Sequence, residues 1–170
     1  FFFHPEDGKR DSVASRGLGD VYKRQAYSNK VTAWQKGLRP ASKSAIKSAG
    51  KFVKEFLARA ATYTDDALKR AFEDSEADTI VLLSDGAPTK PEFPSSFLIE
   101  EILKDIANLN AARKMRINTF GFEGVGGWPD KIPGQTSGPL PLPTLKDVEV
   151  FVGFMKQLAK DNHGSFQSIK

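Results

Sequence analysis

Two short stretches hold the residue types that could do chemistry. In Ile80-Val-Leu-Leu-Ser84-Asp85-Gly86-Ala-Pro-Thr89 an aliphatic run ends in a carboxylate followed by turn-forming residues. In Ala61-Thr62-Tyr63-Thr64-Asp65-Asp66-Ala-Leu68 hydroxyls stand just ahead of a helix-like pattern. Thr hydroxyls and an Asp carboxylate are hard oxygen donors, the kind that hold magnesium, calcium or manganese rather than zinc. Each stretch also has a purely structural reading. Asp-Gly after a strand makes a turn, because Asp bonds its own backbone and Gly accepts positive φ. A Thr ahead of a helix caps it. On these residues alone both readings stay open.

Other chemistries have less to stand on. The chain has no Cys, which removes disulfides, thiolate zinc sites and Cys nucleophiles and leaves the compartment open. His4 and His163 are too few and too far apart for a metal cluster. No glycine-rich phosphate loop with a following Lys occurs; Gly124-x-Gly126-Gly127 sits in a Pro-rich stretch instead. No G-x-S-x-G elbow accompanies His163, which reads as a helix-end residue where a cationic ring suits the dipole. Lys43, Lys47, Lys51 and Lys54 form a basic stripe, either a solvated face or a surface for an anionic partner. A net charge of +4 on 170 residues does not call for nucleic acid, and no apolar run approaches the ~20 residues of a membrane span.

The elements that must position these residues alternate. Lys30–Trp34 alternates polar and apolar residues as a half-buried or edge strand does. Ile46, Ala49, Val53, Phe56, Leu57 and Ala60 share one helical face. A second helix starts at Thr64, which can cap it, with Asp65 and Asp66 where the dipole favours anions and Ala67, Leu68, Ala71 and Phe72 inward. Thr79–Leu83, continuously apolar, reads as a strand covered on both faces and so as part of a parallel sheet. A helix over about Ser96–Lys114 is expected to bury Ile99, Ile102, Leu103, Ile106 and Leu109. Ile117–Phe122 is a further strand. Thr144-x-x-Asp147 opens a last helix with Val148, Phe151, Met155, Leu158 and Ala159 on one face. Gly164 stands at its C-terminal cap position, and Ser165–Ile169 reads as a final strand. Strands separated by amphipathic helices predict an α/β, doubly wound, mostly parallel sheet with helices on both faces. Its ligands gather at the carboxyl ends of the strands. Between Glu123 and Pro143 lies a stretch rich in Gly and Pro, with Trp128, that follows a strand and reads as part of that rim or as a mobile loop.

In this order the segments resemble a von Willebrand factor type A domain. The family has a Thr shortly before a D-A-L helix start and an Asp after a hydrophobic strand as L-S-D-G; Thr62 and Asp85 match those positions. Asn118–Phe122 resembles its next strand, and Phe154–Lys160 with Gly164 its closing helix and strand. The resemblance covers about Ala26–Lys170. It implies a Rossmann-like protein-binding module with a metal-ion-dependent adhesion site. There a divalent cation, usually Mg2+ (or Mn2+ or Ca2+), is held by hydroxyls and carboxylates and completes its shell with an acidic residue of a protein partner. Thr62 and Asp85 are the metal ligands the resemblance assigns here.

The departures are equally informative. No Asp-x-Ser-x-Ser string, the family's first metal loop, occurs in this chain. Residues 1–25 read as a non-native or disordered leader, Asp11–Gln25 resembling a translated library adapter, so the domain is expected over 26–170. Matching Tyr27-Ser28-Asn29 to the end of the family's second strand and Val31 to its third leaves the first strand and first helix missing. In the family's strand order that first strand pairs with the strand Thr79–Leu83, whose edge is then unpaired. The expectation is an incomplete metal site in a non-enzymatic interaction module. The alternatives are a metal-dependent enzyme using Asp85, for which Glu123 is the only plausible second acid or base, and a metal-free scaffolding domain of the same fold.

Overall fold

The computed structural model describes residues 21–56, 61–122 and 145–169. In chain order they form β1 (Val21–Tyr22), β2 (Gln25–Tyr27), β3 (Val31–Ala33), β4 (Arg39–Pro40), α1 (Lys43–Glu55), α2 (Thr64–Phe72), β5 (Thr79–Ser84), α3 (Ser95–Arg113), β6 (Arg116–Phe122), α4 (Leu145–Asp161) and β7 (Phe166–Ile169). Strands β5, β6 and β7 make a parallel sheet in that order, while β1–β4 and β2–β3 are separate antiparallel pairs. The architecture is mixed α/β.

Register fixes which side chains share a face. Ile80 pairs with Ile117, Leu82 with Thr119 and Ser84 with Gly121, and Thr119 and Gly121 continue to Phe166 and Ser168. Along β5 burial alternates, with Ile80, Leu82 and Ser84 buried and Thr79, Val81 and Leu83 only half-buried. The buried set belongs to one core with Leu68 and Phe72 of α2, Ile102 and Ile106 of α3, and Phe151, Met155 and Leu158 of α4. Thr119 donates its hydroxyl to Met155 O at 2.9 Å, so α4 lies on that face. The expectation of two-sided cover over Thr79–Leu83 is therefore corrected among the described residues. The cause is topological. Steps β5→β6 and β6→β7 run in the same direction across the sheet, and right-handed crossovers in one direction put α3 and α4 on one side.

Backbone directions follow as well. Arg116 N donates to Asp78 O at 2.9 Å, whereas Ile117 N and Thr119 N turn the other way, to Asn162 O and Ser165 O. In a parallel ladder alternate residues bond to opposite neighbours. Even-numbered residues of β5 thus serve β6, and Thr79, Val81 and Leu83 aim their N–H and C=O groups at the far edge.

Two polar devices and one close approach lock the connections. The Arg113 guanidinium, in the last turn of α3, donates to Phe72 O, Asp74 O, Ser75 O and Ala77 O, gathering the whole α2–β5 turn on one cation. Buried Asn110 exchanges bonds with Met115 (Nδ2 to O 2.8 Å; N to Oδ1 2.7 Å) and donates to Asn162 Oδ1, joining the α3–β6 and α4–β7 turns. Gly164 passes so close to β6 that a Cβ there would lie 1.8 Å from Ile117 O. Close approach is the reason for this glycine; the left-handed residue after α4 is His163, at φ 56°, not Gly164.

Several other expectations change in detail. The buried stripe of α3 is Leu98, Ile102, Ile106 and Asn110, a pure i, i+4 row, and Leu109 is 43% exposed. On α1 only Ala49 is buried, while Ile46 is 51% exposed. This helix is capped by Ser42, whose Oγ accepts from Ala45 N at 3.2 Å. Thr64 does not cap α2: it is inside the first turn, and the cap residue is Tyr63, without a side-chain bond. The four lysines of α1 are exposed, with Lys51 3.7 Å from Glu55. Of the expected leader, residues 1–20 lie outside the described residues. Val21–Gln25 supply β1 and the first residue of β2, Tyr22 stacks on Trp34 with ring centroids 5.7 Å apart, and Lys23 reaches Asp74 at 3.5 Å. Leu57, Ala60, Glu123, Trp128 and Thr144 also lie outside the described residues.

Candidate functional site

The two sequence stretches meet at the carboxyl end of the parallel sheet. Thr62 N donates to Thr89 Oγ1 at 2.8 Å, and Thr89 N returns a bond to Thr62 O at 3.0 Å. This reciprocal pair ties the segment ahead of α2 to the loop that leaves β5. A third segment joins through Tyr63 N, which donates to Ser28 O at 2.9 Å, just past β2. Within the β5 loop the chain bends at Asp85–Gly86, and the bend is held by Ser84 Oγ, which donates to Gly86 O at 3.0 Å. The expected mechanism is corrected, because the bonding hydroxyl is that of Ser84 and Gly86 is not in positive φ. Asp85 is exposed at its tip and Thr62 is half-buried.

Beneath them lies a layer of hydroxyls. Tyr27 donates to Leu83 O at 3.3 Å, and its ring packs on the core. Burial of its hydroxyl pushes the Tyr27 pKa up to about 12; the Ser84 and Thr64 hydroxyls work in the opposite direction and the Asp85 charge adds to the rise. Asp85, Ser84, Thr64 and Tyr27 thus act on one another across three segments. Thr64 is 1% exposed, and its Oγ1 is buried with no well-formed hydrogen bond. A buried hydroxyl left in that state costs free energy and marks a place where a ligand, ion or water can be taken up.

A cation already stands to one side. Lys90 Nζ bonds Asp65, lies 3.3 Å from Asp66 and sits 5.2 Å above the Tyr63 ring. Burial works against its charge, but the bond to Asp65 and the charges of Asp65 and Asp66 outweigh that and raise its pKa. The two aspartates at the start of α2 are therefore engaged by Lys90 as well as by the helix dipole. A cleft of about 180 Å³ borders this pair, between α2 and the start of α3, lined by Lys69, Phe93, Phe97, Glu101 and Asp105 among others.

Reasoning from sequence picked out Thr62 and Asp85 and missed Thr89, Tyr27, Ser28 and Lys90. Thr89 had a signal, a hydroxyl at the end of the same Ser-Asp-Gly-Ala-Pro-Thr string. Lys90, Tyr27 and Ser28 had none, because only the folded chain brings them near. Among the described residues no group of three or more His, Cys, Asp or Glu side chains is placed to hold a metal ion. The groups gathered at this end are hydroxyls, with the Asp85 carboxylate exposed on the loop that leaves β5.

No family model matches the chain, and no curated protein matches it. Among solved structures, an uncharacterized membrane spanning protein from Vibrio fischeri is similar at 18% identity, over 91% of this chain and 70% of that one, with a TM-score of 0.26. A score that low says nothing about fold or function. No helix among the described residues is long and apolar enough to cross a membrane.

Proposed function

We propose that this chain carries part of a von Willebrand factor type A domain, a doubly wound α/β fold, and serves as a non-enzymatic protein-interaction module. In this reading Thr62 and Asp85 are oxygen ligands of a divalent cation, magnesium first among them. The observation that supports it is the reciprocal Thr62–Thr89 pair, which draws the hydroxyl segment and the Ser-Asp-Gly loop together where ligands of α/β sheets collect. The order β5-β6-β7 with its same-sided crossovers is compatible with one half of a doubly wound sheet.

The donor set fits a hard cation in kind but not in number. One carboxylate and one hydroxyl leave most of a six-oxygen shell to water, so little is gained over hydration. The Lys90 ammonium on the neighbouring segment is already matched by Asp65 and Asp66 and adds no net repulsion. When bound, the cation would supply a positive centre for an acidic side chain of a protein partner. This chain's own contribution is positional: the Thr62–Thr89 bonds hold the two loops in register, and the Ser84–Gly86 turn presents Asp85 outward.

Calorimetric titration with magnesium chloride tests this. Weak heat that vanishes in Asp85→Ala and falls in Thr62→Val is expected. Tight stoichiometric binding would contradict the incomplete shell, and binding unchanged in both variants would contradict the site.

A further inference from the structure

We infer that the cleft between α2 and the start of α3 is a docking site for an arginine side chain of a partner protein. One wall is a row on α3, where Phe97, Glu101 and Asp105 follow at i, i+4 spacing and so share a face. Phe93, just ahead of α3, stacks on Phe97 with ring centroids 5.3 Å apart and planes 23° from parallel. Nearly half of each residue is in water, 47% of Phe93 and 45% of Phe97. The other wall is α2 with Asp65 and Lys69, joined by Lys90 from the β5–α3 connection.

Size, charge and aromatic surface together select the occupant. At about 180 Å³ the space is smaller than the roughly 300–1,000 Å³ of small-molecule sites and suits one anchoring side chain. The anchors of protein interfaces are chiefly Trp, Tyr and Arg. Charge chooses among them. Three carboxylates line the cleft against two ammonium groups. Both lysines are already matched, Lys90 by Asp65 and Lys69 by Asp105 at 2.7 Å. Among the described residues the third carboxylate, Glu101, pairs only with Lys104 at 3.9 Å, an exposed contact of little worth to a residue that does not line the cleft. One negative charge is thus left over beside an aromatic pair. A guanidinium answers both, because its plane lies on a ring face and its fork gives a carboxylate two parallel hydrogen bonds. An ammonium has neither plane nor fork, and an acidic side chain meets Glu101 as a like charge. Neither Thr62 nor Asp85 takes part, so the cleft stands or falls independently of the cation site.

The test is amide chemical-shift mapping on the full chain with capped tripeptides, acetyl-Gly-Arg-Gly-amide and its citrulline, Lys and Glu counterparts. The Arg peptide is expected to shift the amides of Phe97, Glu101 and Lys69 saturably in the millimolar range, while those of Asp85 and Gly86 stay in place. Citrulline keeps the shape without the charge, and Lys keeps the charge without the plane. Each of these peptides is expected to bind at least about threefold more weakly. Glu101→Gln and Phe97→Leu change side chains that reach water, and each is expected to weaken the Arg peptide about threefold or more with an unchanged far-UV spectrum. If either variant loses its fold, the citrulline and Lys peptides on the wild-type chain decide. No saturable shift at these amides, equal binding of the citrulline or Lys peptide, preference for the Glu peptide, or undiminished binding to a folded Glu101→Gln or Phe97→Leu would each overturn the proposal. Free arginine binding more tightly than the capped Arg peptide would also overturn it, by assigning the cleft to a small molecule.

Discussion

On the helical side of the parallel sheet Ile117, Met155 and Leu158 are completely buried, and Thr119 spends its hydroxyl on a helix carbonyl. On the other side Phe122 and its register partner Ile169 keep 41% and 36% of their surface in water. The same three strands make both faces, and their residues are about equally apolar: Val81 and Leu83 are no less so than Ile80 and Leu82. The difference comes from where the chain goes between strands. Two crossovers in one direction stack their helices on one side, whatever the composition of the strand between them. Apolar character thus shows what a strand can bury, and connectivity decides which half of it is buried.

The sharpest way to break this contrast is at Gly164. A methyl group 1.8 Å from Ile117 O cannot be accommodated without moving β7 off β6. Gly164→Ala is expected to cost upward of about 4 kcal/mol or to abolish the cooperative melt. A near-native melting temperature would show that the β6–β7 approach is softer than the geometry indicates.

Next in size is a matched pair of truncations. Leu158→Ala on the covered side should lose about 2–5 kcal/mol, as other deletions in closed cores do. Phe122→Ser, on the side where no core helix lies among the described residues, should change stability by less than ~0.5 kcal/mol. Equal losses in urea titrations of the two variants would mean that the second face is covered too.

Tyr27 bridges the covered side and the rim, and pH probes it. Its hydroxyl is neutral in both states below its ordinary pKa near 10, so its contribution is fully present there. Between pH 10 and about 12 the unfolded chain ionises this group and the folded chain does not. Stability is expected to fall by roughly 2–3 kcal/mol over that window, before the folded group itself titrates. Tyr27→Phe should remove this component from melts taken at pH 9 and 11.5 and remove the latest-titrating phenolate from the absorbance. An unchanged titration in Tyr27→Phe would place the late phenolate elsewhere.

Much of the fold was legible because periodic signals are local. The apolar spacing and the first-turn carboxylates of α2 lie in consecutive residues, and so do the strands around Thr79–Leu83 and Ile117–Phe122. What failed was relational. Leu109 reads as part of an apolar row yet faces water, because α3 aligns Leu98, Ile102, Ile106 and Asn110 with the sheet, a choice its neighbours make. Asn110 looks like a surface residue until its partners Met115 and Asn162 are in place. At the rim, Asp85 and Thr62 could be named from their positions after a strand and before a helix. Thr89, which ties their loops together, and Lys90, which claims Asp65 and Asp66, emerge only from the folded chain.

In the proposed function the carboxyl end of the sheet is the binding end, with Thr62 and Asp85 holding a common cation. Substoichiometric manganese, followed by paramagnetic broadening of backbone amides, tests it most directly, since broadening reports proximity even for weak binding. The amides of Thr62, Asp85, Gly86 and Thr89 are expected to broaden first, before that of the exposed Glu100, and the effect should disappear in Asp85→Ala. Broadening centred on the helix acids, or an undiminished pattern in Asp85→Ala, would contradict it.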